Sequence, residues 1–217
     1  SLRPGLYHKI DYSKYNRVRT RTYSASGNIL MVVEFLEYKK WKPFVLKMAR
    51  ENEKLDGVIF LERYENNNLE METKWTYFNR DGSNVQFCGN GVRCIGKYLS
   101  ENYKELTGEI FNGSSIRSTY KKTEDNMIFF NSPKPIMVKS GSQVQKIHEL
   151  TQQFEFLNVK EIALIAVGVA HIVICCECDI FEIDNSIIEY ISKTIHDTVS
   201  YNFNVNFISV INDDNFK

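Results

Sequence analysis

The residues best suited to chemistry lie in the stretch 79–99, which reads NRDGSNVQFCGNGVRCIGKYL. Within it, Cys88 is followed directly by Gly89, Asn90 and Gly91. The residues that come next recur at spacings of three and four, as on one buried face of a helix: Val92, Ile95, Gly96 and Leu99. Cys88 therefore stands at the point where a loop becomes a helix.

A cysteine at this position has chemical consequences. The free backbone N–H groups at the start of a helix, together with the helix dipole, attract negative charge. We therefore expect a lowered pKa for the Cys88 thiol, and the thiolate is the reactive form of cysteine. The neighbouring glycines leave no side chain between this thiol and a bound small molecule. The stretch predicts a reactive thiol beside a backbone site for a small anion.

The same residues carry a family resemblance. Asn79, the turn Asp81-Gly82-Ser83 and the segment 88–94, CGNGVRC, resemble the signature of the diaminopimelate epimerases. The resemblance implies a cofactor-independent isomerase that inverts the α-carbon of an amino acid, converting LL- to meso-diaminopimelate in lysine biosynthesis with two cysteines. Related proline racemases and PhzF-like isomerases typically carry a His where Asn90 stands.

Inverting an α-carbon without a cofactor requires one group to remove a proton from one face and another to return a proton to the other face. Thiols suit this exchange because thiol and thiolate are both accessible near neutral pH once one pKa is lowered. The resemblance implies that Cys88 is one of these groups and that backbone N–H groups of Gly89 and Asn90 hold the substrate carboxylate. It also implies side chains that contact polar substrate atoms, namely Asn28, Asn79 and Asn204.

The resemblance implies an α+β fold with two pseudo-symmetric lobes, each a curved, mostly antiparallel sheet around a central helix. A faint long-period repeat of strands, helix and strands in each half agrees with it. We expect the first lobe at 1–132 and part of the second at 133–217, because Pro133-Lys134-Pro135 and the following KSGSQVQK are typical of a boundary or hinge.

Local patterns predict the elements that position these residues. A strand follows the small-residue turn around Gly27-Asn28, a helix begins at Pro43, and the helix that starts at Cys88 has a tail ending near Gly108. Strands are predicted in VIFLERY, in METKWTYFN, in two or three short segments after Gly108, in the apolar run IALIAVGVAHIVICCECDIFEI and in FNVNFISVI. A second-half helix is predicted in DNSIIEYISKTIHD, capped by Asp184, Asn185 or Ser186.

The second half departs from the family pattern. Where the family carries Gly-Asn-Pro-His, this chain has Gly168-Val169-Ala170-His171, and Val169 cannot hydrogen-bond through its side chain. His171 alone is more often a packed histidine than a catalytic one. The family's second Cys-Gly loop is not seen before Lys217, so we expect an incomplete second lobe. Either another segment or chain fills this lobe, or the chain is an incomplete copy of a longer protein.

The other cysteines do not replace the missing one. Cys175, Cys176 and Cys178 lie in an apolar segment and are interpreted as buried, inert thiols, while Cys94 lies on the far side of the helix and is interpreted as structural. None of these spacings matches the paired C-x2-C pattern of structural zinc, so no metal is expected.

Composition excludes several classes of function. The 27 basic and 27 acidic residues give zero formal net charge, which argues against a nucleic-acid partner. No apolar run is long enough to span a membrane. Five cysteines indicate a reducing, cytoplasmic setting. The basic segment 1–21 has two interpretations, a solvated strand and turn or the remnant of an organelle-targeting segment. The expected partner is a free amino acid, with a homodimer implied by the resemblance.

Two alternatives remain beside the epimerase hypothesis. One is a catalytically incomplete member of the fold, which binds a small carboxylate or has a structural role. The other is a fold-related isomerase of a different small acid, because Val169 alters the substrate side.

Overall fold

The computed structural model describes residues 18–113, 116–138, 141–199, 203–212 and 215–216, with side chains described up to Ser209. The segment 1–17, which holds most of the basic opening stretch, lies outside the described residues. The chain divides into two units, 1–133 and 134–217.

The described residues of the first unit form eight strands and two α-helices. Its strands are β1 (Arg19–Ala25), β2 (Asn28–Glu34), β3 (Gly57–Glu65), β4 (Met71–Asn79), β5 (Asn84–Val85), β6 (Thr107–Asn112), β7 (Arg117–Lys122) and β8 (Ile128–Phe130). Its helices are α1 (Trp41–Glu51) and α2 (Gly89–Tyr103). The strands form one sheet in the order β1-β2-β3-β4-β6-β7-β8, with β5 paired to β4.

This sheet curves around α2. The helix contacts β1 and β2 at one end of the strand order and β6, β7 and β8 at the other, so it lies inside the curve. Most neighbouring strands are antiparallel, whereas β2/β3 and β4/β6 are parallel. A curved, mostly antiparallel sheet around a helix that begins after Cys88 confirms the fold class predicted for this half.

The helix α1 covers the opposite face of the sheet. Trp41 stacks on Phe60 with ring centroids 4.8 Å apart, and its indole N–H donates to the carbonyl of Leu36 at 2.9 Å. Val45 and Leu55 are fully buried in the same cluster. The helix begins two residues before the predicted Pro43 because the Trp41 ring anchors its first turn in this core.

In the second unit, the residues that the structure describes form a five-stranded sheet and two α-helices. They are β9 (Ile136–Met137), α3 (Gly141–Thr151), β10 (Val159–Val167), β11 (Val169–Cys176), α4 (Asn185–Thr198), β12 (Asn204–Asn212) and β13 (Asn215–Phe216), in the strand order β13-β12-β11-β10-β9. Both helices bury apolar residues in one cluster on the sheet, with Ile147 from α3 and Ile191 and Ile195 from α4.

The two units share a topological repeat. In the first, the antiparallel hairpin β1-β2 is followed by α1 and then by β3, which pairs parallel to β2. In the second, the antiparallel hairpin β10-β11 is followed by α4 and then by β12, parallel to β11. The hairpin turns contain Gly27 at φ 86° and Gly168 at φ 75°, followed by Asn28 and Val169. This repeat confirms the pseudo-symmetry expected from the sequence.

Neither helix in the described part of the second unit begins at a cysteine, since α4 is capped by Asp184 and α3 begins at Gly141. The sheet face opposite the α3–α4 cluster carries half-buried side chains, including Ile165, Val173 and Cys175.

One local prediction was wrong, and the structure refines two others. Gly108 lies in β6 rather than in a helix tail, because α2 ends at Tyr103 and Lys104 takes a left-handed conformation at φ 62°. The division between the two units falls between Pro133 and Lys134, inside the predicted boundary segment. Residues 141–146 of that segment belong to α3, which buries Ile147 completely in the core. The long apolar run forms two strands, which reverse at Gly168.

Candidate active site at the N-terminus of helix α2

Cys88 is the N-cap residue of α2. Its backbone is extended, and its Sγ accepts a hydrogen bond from the backbone N–H of Gly91 at 3.3 Å. Its carbonyl accepts the first helical hydrogen bond from Val92 at 3.0 Å. The residue is half-buried, and its sulfur caps the helix.

The expected lowering of the Cys88 pKa is wrong for this structure. Burial raises the pKa of the thiol above its ordinary value, although the backbone N–H groups of Gly91 and Asn90 and the charge of Arg93 act to lower it. The cost of burying a charged sulfur exceeds these favourable interactions. The protonated thiol is therefore the resting form at neutral pH.

The sheet brings two of the predicted asparagines to the same end and face. Leu30, Gly57 and Asn79 are register partners across β2, β3 and β4, so these three positions lie on one face of the sheet. Asn28 lies on the same face, because it precedes Leu30 by two residues. A Cβ placed on Gly91 would lie 3.5 Å from Cδ1 of Ile59, which shows that the start of α2 packs on this same face.

Asn28 and Asn90 contact each other directly. The amide Nδ2 of Asn90 donates to Oδ1 of Asn28 at 2.5 Å. The guanidinium of Arg93 donates to Oδ1 of Asn90 and, at 2.8 Å, to Oγ of Ser26. These bonds tie the β1–β2 turn to the first turn of α2, one residue after Cys88.

Asn79 is held by the turn that follows it. Its Nδ2 donates to Oγ of Ser83 at 3.0 Å, and this hydroxyl donates to Oδ1 of Asp81 at 2.6 Å. The backbone N–H of Ser83 also donates to Asp81 at 2.8 Å, and Gly82 takes φ 79°, which suits glycine. The DGS motif therefore fixes the orientation of Asn79.

The glycine of the Asp56-Gly57 pair makes room for a buried tyrosine. A Cβ on Gly57 would lie 2.5 Å from Cε2 and 2.6 Å from Oη of Tyr77, and 2.7 Å from the carbonyl of Phe78. Asp56 accepts from the N–H of Ile29 at 2.7 Å and so joins β2 to the start of β3. Burial raises the pKa of Tyr77, and the neighbouring Cys88 and Asp56 raise it further.

Gly89 has a comparable role on the other side of the thiol. A Cβ there would lie 2.7 Å from Cζ of Phe130, the last residue of β8. The aromatic ring therefore packs directly on the backbone of the loop-to-helix junction. Any ligand bound to these backbone N–H groups has Phe130 as a neighbour.

The remaining predicted residue, Asn204, belongs to the second unit, whereas the residues gathered around Cys88 all belong to the first. Asn204 is exposed and pairs in register with His171. Asn206, which the sequence analysis did not single out, is the residue whose Nδ2 contacts Nδ1 of His171, at 3.1 Å. Burial lowers the pKa of His171, which favours the neutral ring.

The other cysteines lie apart from this chemistry. None of the five forms a disulfide. Cys94 is buried on α2, and burial, followed by the nearby Cys88 sulfur, raises the pKa of its thiol to about 12. Cys176 is fully buried in the second core, but Cys175 and Cys178 are only half-buried.

Within the described residues, no group of three or more His, Cys, Asp or Glu side chains is arranged to hold a metal ion. Across the same part of the chain, every helix is too short or too polar to cross a membrane.

The sequence analysis missed three contributors to the site. Arg93 donates to Asn90, Phe130 packs on Gly89, and Tyr77 lies close enough to Cys88 for this thiol to raise its pKa. Arg93 stands inside the CGNGVRC segment, so its place in the motif was a usable signal. The contacts of Tyr77 and Phe130 depend on strand register and curvature, for which the sequence carries no local signal.

A family model and the sequences of related proteins agree on one family for this chain. The family model described as "Diaminopimelate epimerase" matches residues 21–138. A diaminopimelate epimerase from Methanocaldococcus jannaschii is 26% identical over 213 residues, which covers 87% of this chain and 72% of that protein. Another from Hydrogenobaculum is 26% identical over 218 residues, covering 90% of this chain and 71% of that protein.

Solved structures give the same fold. A structure titled as a predicted epimerase from Pseudomonas aeruginosa superposes with a TM-score of 0.52 at 9% identity, covering 70% of this chain and 55% of that one. A PhzF-family phenazine biosynthesis protein from Enterococcus faecalis gives a TM-score of 0.50 at 12% identity, covering 88% of this chain and 66% of that one. The chain thus spans only part of the length of each of these proteins.

Proposed function

Because the chain belongs to the diaminopimelate epimerase family, we propose that it binds a free α-amino acid at the N-terminus of α2 and exchanges the hydrogen on its α-carbon. The observation that carries this proposal is the position of Cys88. A half-buried thiol caps α2 with glycine on either side of Asn90, and Asn28 lies in hydrogen-bonding contact with Asn90.

The role proposed for Cys88 is proton transfer to and from one face of the α-carbon. The raised pKa makes the thiol a proton donor at rest, and loss of its proton generates the base for the reverse step. In the step itself the Cα–H bond breaks, its electron pair stays on the α-carbon, and the proton goes to a thiolate. The same carbon then takes a proton from a thiol on the opposite face when inversion occurs.

Backbone groups at the start of α2 support binding of the substrate carboxylate. The first N–H groups of a helix have no partner within the helix and lie at the positive end of its dipole. Gly89 and Asn90 supply two of them next to Cys88. These N–H groups hold the carboxylate, and they also stabilise the negative charge that develops on the α-carbon and spreads onto the carboxylate.

Diaminopimelate is the proposed substrate because the relatives are named for it. Full inversion needs a second acid or base, and in the described part of the first unit the other cysteine, Cys94, is buried at 2% exposure. We therefore propose that exchange at one face depends on Cys88, and that inversion depends on a group supplied from outside the first unit.

A second candidate function is binding without exchange. It is favoured by Val169, which occupies the place in the second hairpin that Asn28 occupies in the first and offers no hydrogen-bonding side chain. In this alternative the chain holds a small carboxylate at α2 and catalyses nothing.

Solvent-deuterium exchange separates the two candidates. We expect NMR to show deuterium entering the α-position of LL- or meso-diaminopimelate, with loss of the label in Cys88→Ser. Cys178→Ser is the matched control, because it removes a half-buried thiol from the second unit, and it should exchange like the parent protein. Ligand binding without label in the parent protein would overturn the exchange proposal in favour of the second candidate.

A further inference from the structure

Arg93 is the only charged side chain described in contact with the Asn28–Asn90 pair. It lies one turn into α2, and its Nη2 donates both to Asn90 and to Ser26. A guanidinium has five N–H donors and no acceptor. Its partner must therefore present an oxygen.

This requirement sets the direction of the neighbouring hydrogen bonds. Because Oδ1 of Asn90 faces Arg93, the Nδ2 of Asn90 is the end available to Asn28. Asn28 must then present its Oδ1 to Asn90, which leaves its own Nδ2 as the group available to a ligand. A neutral pair of asparagines without Arg93 has no such preference, since either amide can donate or accept.

The second asparagine on this sheet face is ordered in the opposite sense. Asn79 donates to Ser83, whose hydroxyl donates to the carboxylate of Asp81. An ionised carboxylate only accepts, so this series runs toward Asp81 and leaves Oδ1 of Asn79 as the acceptor end. In each set of hydrogen bonds, the charged residue at its end therefore decides which groups donate and which accept. That residue is Arg93 for Asn90 and Asn28, and Asp81 for Asn79.

We propose that Arg93 is a positioning residue that sets the orientation of the Asn90 and Asn28 amides, so that Asn28 presents N–H donors to an acceptor group of the ligand. The identity of the ligand, an α-amino acid with its carboxylate, rests on the proposed function. The orientation of the two amides does not, because it follows from their hydrogen bonds. The positive charge of Arg93 also favours an anionic ligand at this end of α2.

The test compares Arg93→Met, Arg93→Lys and Lys97→Met. Lys97 lies one turn further along α2 and pairs with Glu101 at 3.3 Å, so its replacement removes the same charge from the same helix without touching the asparagines. The first readout is the side-chain amide signals of Asn28 and Asn90 in ¹H–¹⁵N NMR spectra of the ligand-free protein. We expect both pairs of signals to shift in Arg93→Met and to stay in place in Lys97→Met.

The second readout is exchange kinetics with LL-diaminopimelate. Loss of orientation should lower kcat/KM by about 10- to 100-fold in Arg93→Met, mainly through KM, because a misplaced contact weakens substrate positioning. Arg93→Lys keeps a charged donor and should recover part of the loss, while Lys97→Met should behave like the parent protein.

The two readouts fail separately. Unmoved Asn28 and Asn90 signals in a folded Arg93→Met protein would overturn the positioning role. If the parent protein shows no exchange, the proposed function fails, yet the amide signals still decide the role of Arg93. Equal loss of activity in Arg93→Met and Lys97→Met would assign the effect to helix charge and would also overturn the proposal.

Discussion

The backbone N–H of Gly91 donates to Sγ of Cys88 at 3.3 Å, so the sulfur proposed as a proton carrier also caps its own helix. Caps of this kind favour negative charge, yet burial raises the pKa of this thiol. The two effects oppose each other at one atom. The balance between them gives the first prediction.

Alkylation of Cys88 by iodoacetamide should be slow at neutral pH. Only the thiolate reacts, so the rate rises with pH as the thiol loses its proton. Because the pKa is raised, the midpoint of this rise should lie above the ~8.5 of an unperturbed cysteine. Peptide mass spectrometry at a series of pH values gives the rate at Cys88 separately from the other four thiols. A rate that levels off below about pH 8 would show that the helix N-terminus outweighs burial.

Gly57→Ala should destabilise the first unit. The new Cβ meets the ring of Tyr77 and the carbonyl of Phe78 at less than 3 Å, and backbone cannot move aside as a flexible side chain can. We expect the free energy of unfolding to fall by about 1–3 kcal/mol in urea titrations. Gly113→Ala is the matched control, because its Cβ meets only Cε of Lys74 at 3.7 Å. Equal stability of the two variants would contradict the packing described around Tyr77.

Tyr98→Phe should cost much more stability than Tyr23→Phe, although each removes a hydroxyl that donates to a glutamate. Tyr98 donates to Glu34, which is completely buried and also accepts from Tyr103, whereas Tyr23 donates to Glu101 at the surface. Loss of the buried bond leaves a carboxylate without one of its donors and should cost about 1.5–3 kcal/mol.

The surface variant should stay within about 0.5 kcal/mol of the parent protein. Both values come from urea unfolding under identical conditions. A cost for Tyr98→Phe as small as that of Tyr23→Phe would mean that Glu34 is solvated.

Stability should fall as the solution becomes alkaline. Burial raises the pKa of Tyr77 and Tyr98, and that of Tyr120 to about 12. These groups keep their protons in the folded protein above pH 10, while the unfolded chain loses them near pH 10, so the folded state binds more protons there. The free energy of unfolding must then decrease with rising pH above about 10. Urea midpoints measured from pH 8 to 11 check this, and a flat profile would contradict it.

Much of the first unit could be predicted because its signals are local. The switch from glycines to helical spacing after Cys88 predicted the start of α2, and a strand was predicted in METKWTYFN, which are the observed bounds of β4. Only the family resemblance predicted that Asn28 and Asn79 both contact the substrate, and hence that they lie near each other. Their meeting at one end of the sheet follows from strand register, which no single segment encodes.

The errors arose where tertiary packing decides. The pKa of Cys88 depends on how deeply the curved sheet buries the thiol, and α3 depends on a core that receives Ile147. Arg93 illustrates the same limit, since its donors reach Ser26 only because the β1–β2 turn folds back onto α2.

The matched hairpins of the two units also give this chain an internal reference. Gly27-Asn28 and Gly168-Val169 occupy corresponding positions in the two hairpins, although the first chain reversal uses Ser26 and Gly27 and the second uses Gly168 alone. One molecule therefore carries an amide side chain at one of these positions and an isopropyl group at the other. Exchanging those two side chains between the turns would test ligand recognition against an unchanged scaffold. The duplicated hairpin thereby offers a second position at which the contribution of the amide can be measured.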